Sequence, residues 1–362
     1  MKVKIDYRPY LLQFRFLAGT SRGTMTEKLT YFIRIQDIDN PDKPGYGEVP
    51  FFEGLSLESR AEIETQLDLL SHVENIEEVK KFPACSSLTF GLEMALKDIE
   101  NYGSCLYFPS GFTSGNSALS INGLVWMGDY GLMKKRANEK LRTGFKCIKI
   151  KIGAVNWEDE IALIKYVRER GGKDLVIRLD ANGAFSSSEC LGKLDQLSKF
   201  SIHSVEQPIK RNNIEDLAKI CKDSPIAIAL DEELIGIPIN EDRSELLRYL
   251  RPRYVVLKPA LSYGFTGASD WIKRAKDLDI GWWITSALES NVGLDAISQF
   301  TACVLESQGD DQNTNYQFYQ GLGTGNLYTN NFPSPLELDG EKLSFRGKPE
   351  AFRNSLSLLF HQ

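Results

Sequence analysis

From about residue 118 the chain alternates two kinds of segment with a steady period, and this alternation restricts its fold more than any other feature. Short runs rich in β-branched residues recur: KCIKIKI (146–152), LVIRLD (175–180), HSVEQPI (203–209), IAIALDE (226–232), RYVVLKPA (253–260) and GWWITSA (281–287). Between them lie stretches such as WEDEIALIKYVRERGG and SDWIKRAKDLD, with apolar residues three and four apart. The first pattern suits a strand and the second an amphipathic helix. Several helical stretches open on Ser, Asn or Asp, residues that cap a helix N-terminus. Strand, helix, strand in regular succession implies a parallel sheet, because parallel neighbours need a long crossover between them. Polar residues end successive strands at 151, 180, 206, 231 and 258, in steps of 29, 26, 25 and 27 residues. That step suits one βα unit. With a strand near ALSINGLVW (118–126) there are seven units, and the NVGLDAISQFTACVLES helix follows the last. Seven units favour a closed barrel, with an open doubly wound sheet as the alternative from pattern alone.

The flanks read differently. Residues 1–115 begin with strand-like segments and continue with helical ones around SRAEIETQLDLL and SLTFGLEMALKDIEN, the order expected of an α+β domain. Residues 116–315 make the barrel, and residues 316–362, rich in Gly, Asn and Pro, are expected to fold back on the N-terminal domain. A net charge of −6 argues against nucleic acid as a partner, since a phosphate backbone demands a basic face. No apolar run reaches the roughly 18 residues of a spanning helix, and MKVKIDYRPYLLQF has no signal-peptide core. The expected setting is cytoplasmic, without a membrane. Six scattered cysteines form no C-x-x-C pair, so neither a zinc site nor a disulfide framework is signalled. Three histidines (His72, His203 and His361) are few, so acid–base chemistry falls to lysine or carboxylate.

Lys149 and Lys151 share one face of their strand, while Ile148, Ile150 and Ile152 take the other. A solvated edge strand would also seat two lysines so, but the three isoleucines ask for burial. Two lysines facing a barrel interior repel one another, which lowers an ammonium pKa toward the range of a general base. Asp180 in RLDANG, Glu206 in VEQP and Asp231 in ALDEE end successive strands. Strand ends of a parallel barrel open on one face, the usual face of an active site. Any one of these acids alone could be a capping residue. Three at equivalent positions suit Mg²⁺, a hard cation that takes carboxylate oxygens. Lys258, in VVLKPA, ends the next strand, where Pro259 stops the ladder, and so stands across the barrel from Lys151. A metal between two opposed lysines suits removal of a proton beside a carboxylate.

The ordered set Lys-x-Lys, Asp-x-Asn, Glu, Asp-Glu and Lys-Pro resembles the muconate-lactonising-enzyme subgroup of the enolase superfamily. Within it the chain most resembles the o-succinylbenzoate synthases of menaquinone biosynthesis, through GTSRGTMTEK (19–28), YGEVPFFEGLS (46–56), INGLVWMG (121–128), LKPALSYGF (257–265), TSALESNVGL (285–294) and QGLGTGNLYTN (320–330). The resemblance implies a (β/α)7β barrel with an α+β capping domain built from both termini. It implies Mg²⁺ held by Asp180, Glu206 and Asp231, with Mn²⁺ as an alternative. It implies dehydration of 2-succinyl-6-hydroxy-2,4-cyclohexadiene-1-carboxylate to 2-succinylbenzoate. Lys151 would take the α-proton and return it to the departing hydroxyl, Lys258 would stabilise the enediolate, and Lys149 would tune Lys151.

Further positions are weaker candidates. Arg178 shares a face with Asp180 and is expected to meet substrate, as are Asn182, Ser262 and Ser286. Glu232 is either a partner of a lysine or a surface acid. The loop Gly19–Gly23, with Arg22, resembles the family's lid over the site or is an ordinary turn. Ser262, Ser286 and Glu289 lie in segments expected at the barrel mouth. Gly321-Leu322-Gly323-Thr324-Gly325 hints at a dinucleotide loop, but no βαβ unit follows and Asn326 stands where the next glycine would be. The competing activity is that of an N-succinylamino acid racemase or dipeptide epimerase on the same scaffold. Dipeptide epimerases tend to carry an Asp-x-Asp pair at the seventh strand, where this chain reads Thr285-Ser286-Ala287-Leu288-Glu289-Ser290. The partner expected is a small carboxylate, and a monomer is compatible with the sequence.

Overall fold

The computed structural model describes residues 1–20, 23–308 and 319–361. The chain opens with three antiparallel strands in the order β1 (Val3–Thr20), β2 (Gly23–Asp37) and β3 (Gly45–Pro50). Alternation along β2 sends Tyr31, Ile33 and Ile35 to one face. There they meet the apolar stripes of α1 (Arg60–Ser71) and α3 (Ser86–Glu100), with the single turn α2 (Ile76–Val79) between them. Ser59 and Glu62 start α1 with a capping box. β3 lies directly on α3. A Cβ at Gly47 would come 1.9 Å from the carbonyl oxygen of Gly91, so only glycine allows that approach.

After β4 (Ala118–Ser120) the predicted alternation follows: β5 (Gly123–Val125), α4 (Tyr130–Arg142), β6 (Cys147–Lys151), α5 (Trp157–Gly171), β7 (Val176–Asp180), α6 (Ser187–Ser198) and β8 (Ser204–Glu206). It continues through α7 (Ile214–Asp223), β9 (Ile228–Leu230), α8 (Arg243–Leu250), β10 (Tyr254–Leu257), α9 (Gly264–Asp277), β11 (Gly281–Ile284) and α10 (Asn291–Ser307). β5 to β11 form one curled parallel sheet in chain order. Residues 320–321 join its two edges. Gln320 bridges Ile121 before β5, and Gly321 bridges Thr285 after β11, both in parallel. This minimal eighth strand supplies the final β of the expected (β/α)7β arrangement.

Ile148, Ile150, Ile177, Leu179, Val205, Leu230, Val255 and Leu257 point outward into the main core beneath the helices. Inside, the lower layer is a plug of Ala229, Val256 and Trp283 against Tyr254. His203 stacks on Tyr254 with ring centroids 4.8 Å apart. The chain then returns to both ends of the molecule. Residues 327–329 run beside β1, where Arg15 N–H donates to Leu327 O and Thr329 N–H to Gln13 O. β12 (Leu336–Asp339) and β13 (Lys342–Phe345) pair with β4. α11 (Glu350–Leu359) leads to Phe360, whose ring lies 5.7 Å from that of Tyr46 in the capping sheet. No helix among the described residues is long and apolar enough to cross a membrane. All six cysteines are free thiols.

Candidate active site

The strand ends deliver the predicted charged residues to one place. Lys149 and Arg178 are register partners across β6 and β7, as are Lys151 and Asp180, and Asp180 pairs with Glu206 across β7 and β8. Lys151, Asp180 and Glu206 therefore form one layer at the C-terminal rim, with Lys149 one step below. Lys149 Nζ donates to both oxygens of Glu206, at 2.6 and 2.7 Å, and lies 2.8 Å from Asp180 Oδ2. Lys151 Nζ donates to Asp180 Oδ2 and Asn182 Oδ1, each at 2.6 Å. On the far side Lys258 donates to Asp231 Oδ2. Asn182 also gives its amide to Glu232 Oε1 at 2.9 Å, linking the Lys151 side of the rim to the strand end that carries Asp231.

Burial alone would make these charges costly, and each is compensated by its neighbours. Burial opposes the ammonium of Lys149, but Asp180, Glu206 and Asp231 overcome it and raise its pKa well above the ordinary lysine value. The expected repulsion between Lys149 and Lys151 is thus outweighed, because three acids surround Lys149. Burial also opposes the charge of Lys258, yet Asp231, Glu232 and Glu206 raise it. Burial would raise Asp180, but Lys149 and Lys151 hold it far below the usual carboxylate range. Glu206 goes the other way: burial and the charges of Asp180 and Asp231 push it well up against Lys149.

Mutually repelling buried carboxylates are the donor chemistry of a divalent cation site. Asp231 Oδ1 is buried without a hydrogen-bond partner among the described residues. Asp180, Glu206 and Asp231 fit such an ion in donor type, at or just past the ends of neighbouring strands. As positioned, lysine ammonium groups lie across them, and among the described residues no three acidic, histidine or cysteine side chains stand close enough together to hold one ion.

Above this layer opens a cavity of about 850 Å³, its mouth included. Lys149, Lys151, Asp180, Asn182, Glu206, Glu232, Lys258 and Ser286 line it, as expected. Asp231, Arg178 and Ser262 are not among its lining residues. Arg178 lies beneath the site, stacked 3.8 Å from the Trp283 ring centre and donating to Tyr319 O at 2.6 Å. Ser262 is buried under the start of α9, where its carbonyl oxygen accepts from Arg243. Glu289 turns away from the cavity and accepts its own chain's Ala287 N–H. Arg22 lies outside the described residues. Phe16 of β1 meets the cavity-lining Trp126 edge-on at 6.1 Å.

Sequence reasoning missed the walls. Phe52 and Leu55 come from the loop after β3, Leu124 from β5, and Asn122, Trp126 and Met127 from the residues just before and after it. Gly321, Gly323 and Thr324 come from the glycine-rich run. That run passes close to β11: a Cβ at Gly321 would meet Thr285 Oγ1 at 2.3 Å, and the hydroxyls of Ser286 and Thr324 are 2.7 Å apart. Gly321 serves this close passage. The signal that could have found these residues was the absence of a βαβ unit around them.

Comparison with known proteins agrees with this fold. The Enolase C-terminal domain-like family matches residues 132–349. The o-succinylbenzoate synthase of Desulfotalea psychrophila is 42% identical, over 93% of this chain and 98% of that protein. The crystal structure of MenC from the same organism superposes with a TM-score of 0.81 at 39% identity, covering 95% of this chain and all of that one. A dipeptide epimerase from Enterococcus faecalis, complexed with Mg and the dipeptide L-Leu-L-Tyr, shares the fold with a TM-score of 0.79 at 20% identity, covering 96% of this chain and 98% of that one. The chain belongs to the enolase superfamily, in the family that includes the o-succinylbenzoate synthases.

Proposed function

We propose that this enzyme is an o-succinylbenzoate synthase: it removes water from 2-succinyl-6-hydroxy-2,4-cyclohexadiene-1-carboxylate to give 2-succinylbenzoate. The observation that carries this reading is the 42% identity to the Desulfotalea psychrophila synthase over 93% of the chain. Two opposed lysines at the rim of an apolar cavity supply matching chemistry.

Lys151, starting as the neutral amine, accepts the proton on the ring carbon that bears the carboxylate. The electron pair left behind spreads into the carboxylate, and Lys258, held as an ammonium by Asp231, faces that charge from the other side. The electron pair then returns to form a double bond to the neighbouring ring carbon, and that carbon's bond to its hydroxyl breaks. Lys151, now protonated, gives its proton to the departing oxygen, so that water leaves and the ring becomes aromatic. Lys149 keeps Asp180 and Glu206 in place beside Lys151. Asp180, Glu206 and Asp231 would hold Mg²⁺, or Mn²⁺ in its place, which supplies positive charge to the substrate carboxylate when bound. Phe52, Leu55, Leu124, Trp126, Met127 and Leu288 offer apolar walls to a flat ring.

The competing activity on this scaffold is racemisation of N-succinylamino acids or epimerisation of dipeptides. Against the second stands the wall from Thr285 to Leu288, which sets hydroxyls and apolar groups, and no acid, where a dipeptide ammonium would need one. The test is direct. Purified protein with Mg²⁺ should aromatise the cyclohexadiene substrate, followed by ultraviolet absorbance. EDTA should stop the reaction and Mg²⁺ restore it. No absorbance change, together with fast α-proton exchange on N-succinyl amino acids, would overturn the synthase reading.

A further inference from the structure

The seam between the capping sheet and the barrel buries a group of polar side chains that the chemistry above leaves unused. The turn after β11 gives Ser286, Ala287 and Leu288 to the cavity wall and then starts α10. Leu288 has φ +60°, a left-handed conformation that leucine seldom adopts, so the surroundings must hold it. Three contacts do so. Glu289 Oε2 accepts the Ala287 N–H at 2.7 Å. Tyr328 donates its hydroxyl to Leu288 O at 2.7 Å. Glu48 of β3 accepts from Ser290 N–H (2.9 Å), Ser290 Oγ (2.6 Å) and Gly293 N–H (2.9 Å). Glu48 thus occupies the N-terminus of α10, where free N–H groups and the helix dipole favour a carboxylate. Thr30 of β2 donates to the same side chain at 2.9 Å.

Lys28 completes the group. It is 5% exposed, and its Nζ finds no hydrogen-bond partner among the described residues. Burial lowers its pKa, against the charges of Glu48 and Glu289. Glu289 Oε1 is likewise buried without a partner. Burial pushes Glu289 up to about 7, with Lys28 opposing and Glu48 reinforcing. The charged groups facing Glu289 are therefore Lys28 from β2 and Glu48 from β3, with Glu48 and Glu289 also flanking Tyr328 from the C-terminal segment.

We propose that Glu289 is a positioning residue for the substrate: together with Lys28 and Glu48 it ties the shape of the cavity wall at 286–288 to the seating of the capping sheet on the barrel. The proposal rests on reading the cavity as the substrate site. Ionised, Glu289 is drawn to Lys28 and accepts the Ala287 N–H strongly. Protonated, it loses that attraction, and the turn relies on Tyr328 and Glu48. Substrate should then bind more tightly as pH rises through neutrality.

The experiment measures KM and kcat from about pH 6 to about pH 8.5, the span over which a carboxyl titrating at about 7 changes charge. Amide exchange of residues 287–290 is measured alongside at matched pH. The wild type should show KM falling with a midpoint of about 7. Glu289→Gln should remove that dependence and raise KM about three- to tenfold, the scale of one hydrogen bond, with kcat little changed. Lys28→Met should move the midpoint to higher pH, and it carries the test if Glu289→Gln fails to fold. Both variants should exchange faster at 287–290. Exchange needs no turnover, so faster exchange without aromatisation would sink the synthase reading and leave the positioning role standing. Variants with the wild-type KM profile and wild-type exchange would overturn the proposal.

Discussion

At the scale of single residues, the site is a set of charges that tolerate burial only because they face one another. Lys151 and Lys258 hold separate acids on opposite sides of the rim, Asp180 and Asp231. Lys151→Ala and Lys258→Ala should each lower kcat by roughly 10²–10⁴-fold, the span of positioned acid–base groups. Far-UV circular dichroism should show the fold kept, because the remaining lysines still neutralise part of the acid cluster. A Lys151→Ala enzyme with near-normal kcat would remove that residue from the role of base. These residues were legible in the sequence because each ends a strand, and strand ends recur at a fixed step. Arg178 shows the limit. Period-two alternation places it on the inward face with Asp180, yet alternation does not say what a side chain meets there, and Arg178 is taken up by Trp283 and the Tyr319 carbonyl. Ser262 misleads for another reason. It follows Lys258 closely in sequence, but the turn after Pro259 carries it under α9.

At the scale of elements, the barrel needs a floor, and the chain builds it from aromatic rings. His203, Tyr254 and Trp283 pack with one another inside the strands, and Arg178 covers the tryptophan. Burial, with the Arg178 charge, lowers His203 to about 4, so the imidazole is neutral in the folded barrel. The unfolded chain binds a proton at that position below about 6.5. The unfolded state therefore holds more protons between these values, and stability rises with pH across them. The contribution is present above about 6.5 and is lost as pH falls toward 4, by an amount on the order of 3 kcal/mol. His203→Phe keeps a ring on Tyr254 and removes the titration. Urea midpoints measured between these limits should fall less steeply with acid in that variant than in the wild type, and equal slopes would discard the floor as the source. Strands and helices were legible from periodicity, whereas this floor was not. Its members lie on β10, β11 and the segment before β8, and nothing in a local pattern says that they meet.

At the scale of the molecule, both ends of the chain close on the capping domain, and the glycine and asparagine content of the tail gave no hint of how. The decisive contact is Arg353 of α11. It lies 3.5 Å from the buried Asp98 of α3, donates to Pro44 O at 3.1 Å and stacks on Tyr46. Asp98 also accepts the N–H groups of Tyr46 and Cys105, so one carboxyl joins α3, β3 and the chain leading to the barrel. Burial pushes Asp98 up to about 6, while the Cys105 N–H and the Arg353 charge pull it down. A raised carboxyl contributes stability at low pH that is lost as pH climbs through about 6. Removing the guanidinium should raise Asp98 further and deepen that loss. Arg353→Met, which keeps most of the side-chain bulk, should therefore cost little at pH 5, where the carboxyl can hold its proton. At pH 8 a buried carboxylate is left without its cation, and the cost should reach about 3 kcal/mol. Equal losses from urea denaturation at the two pH values would show that Arg353 acts through packing alone. A larger loss at pH 8 would show that the tail is held to the cap by charge.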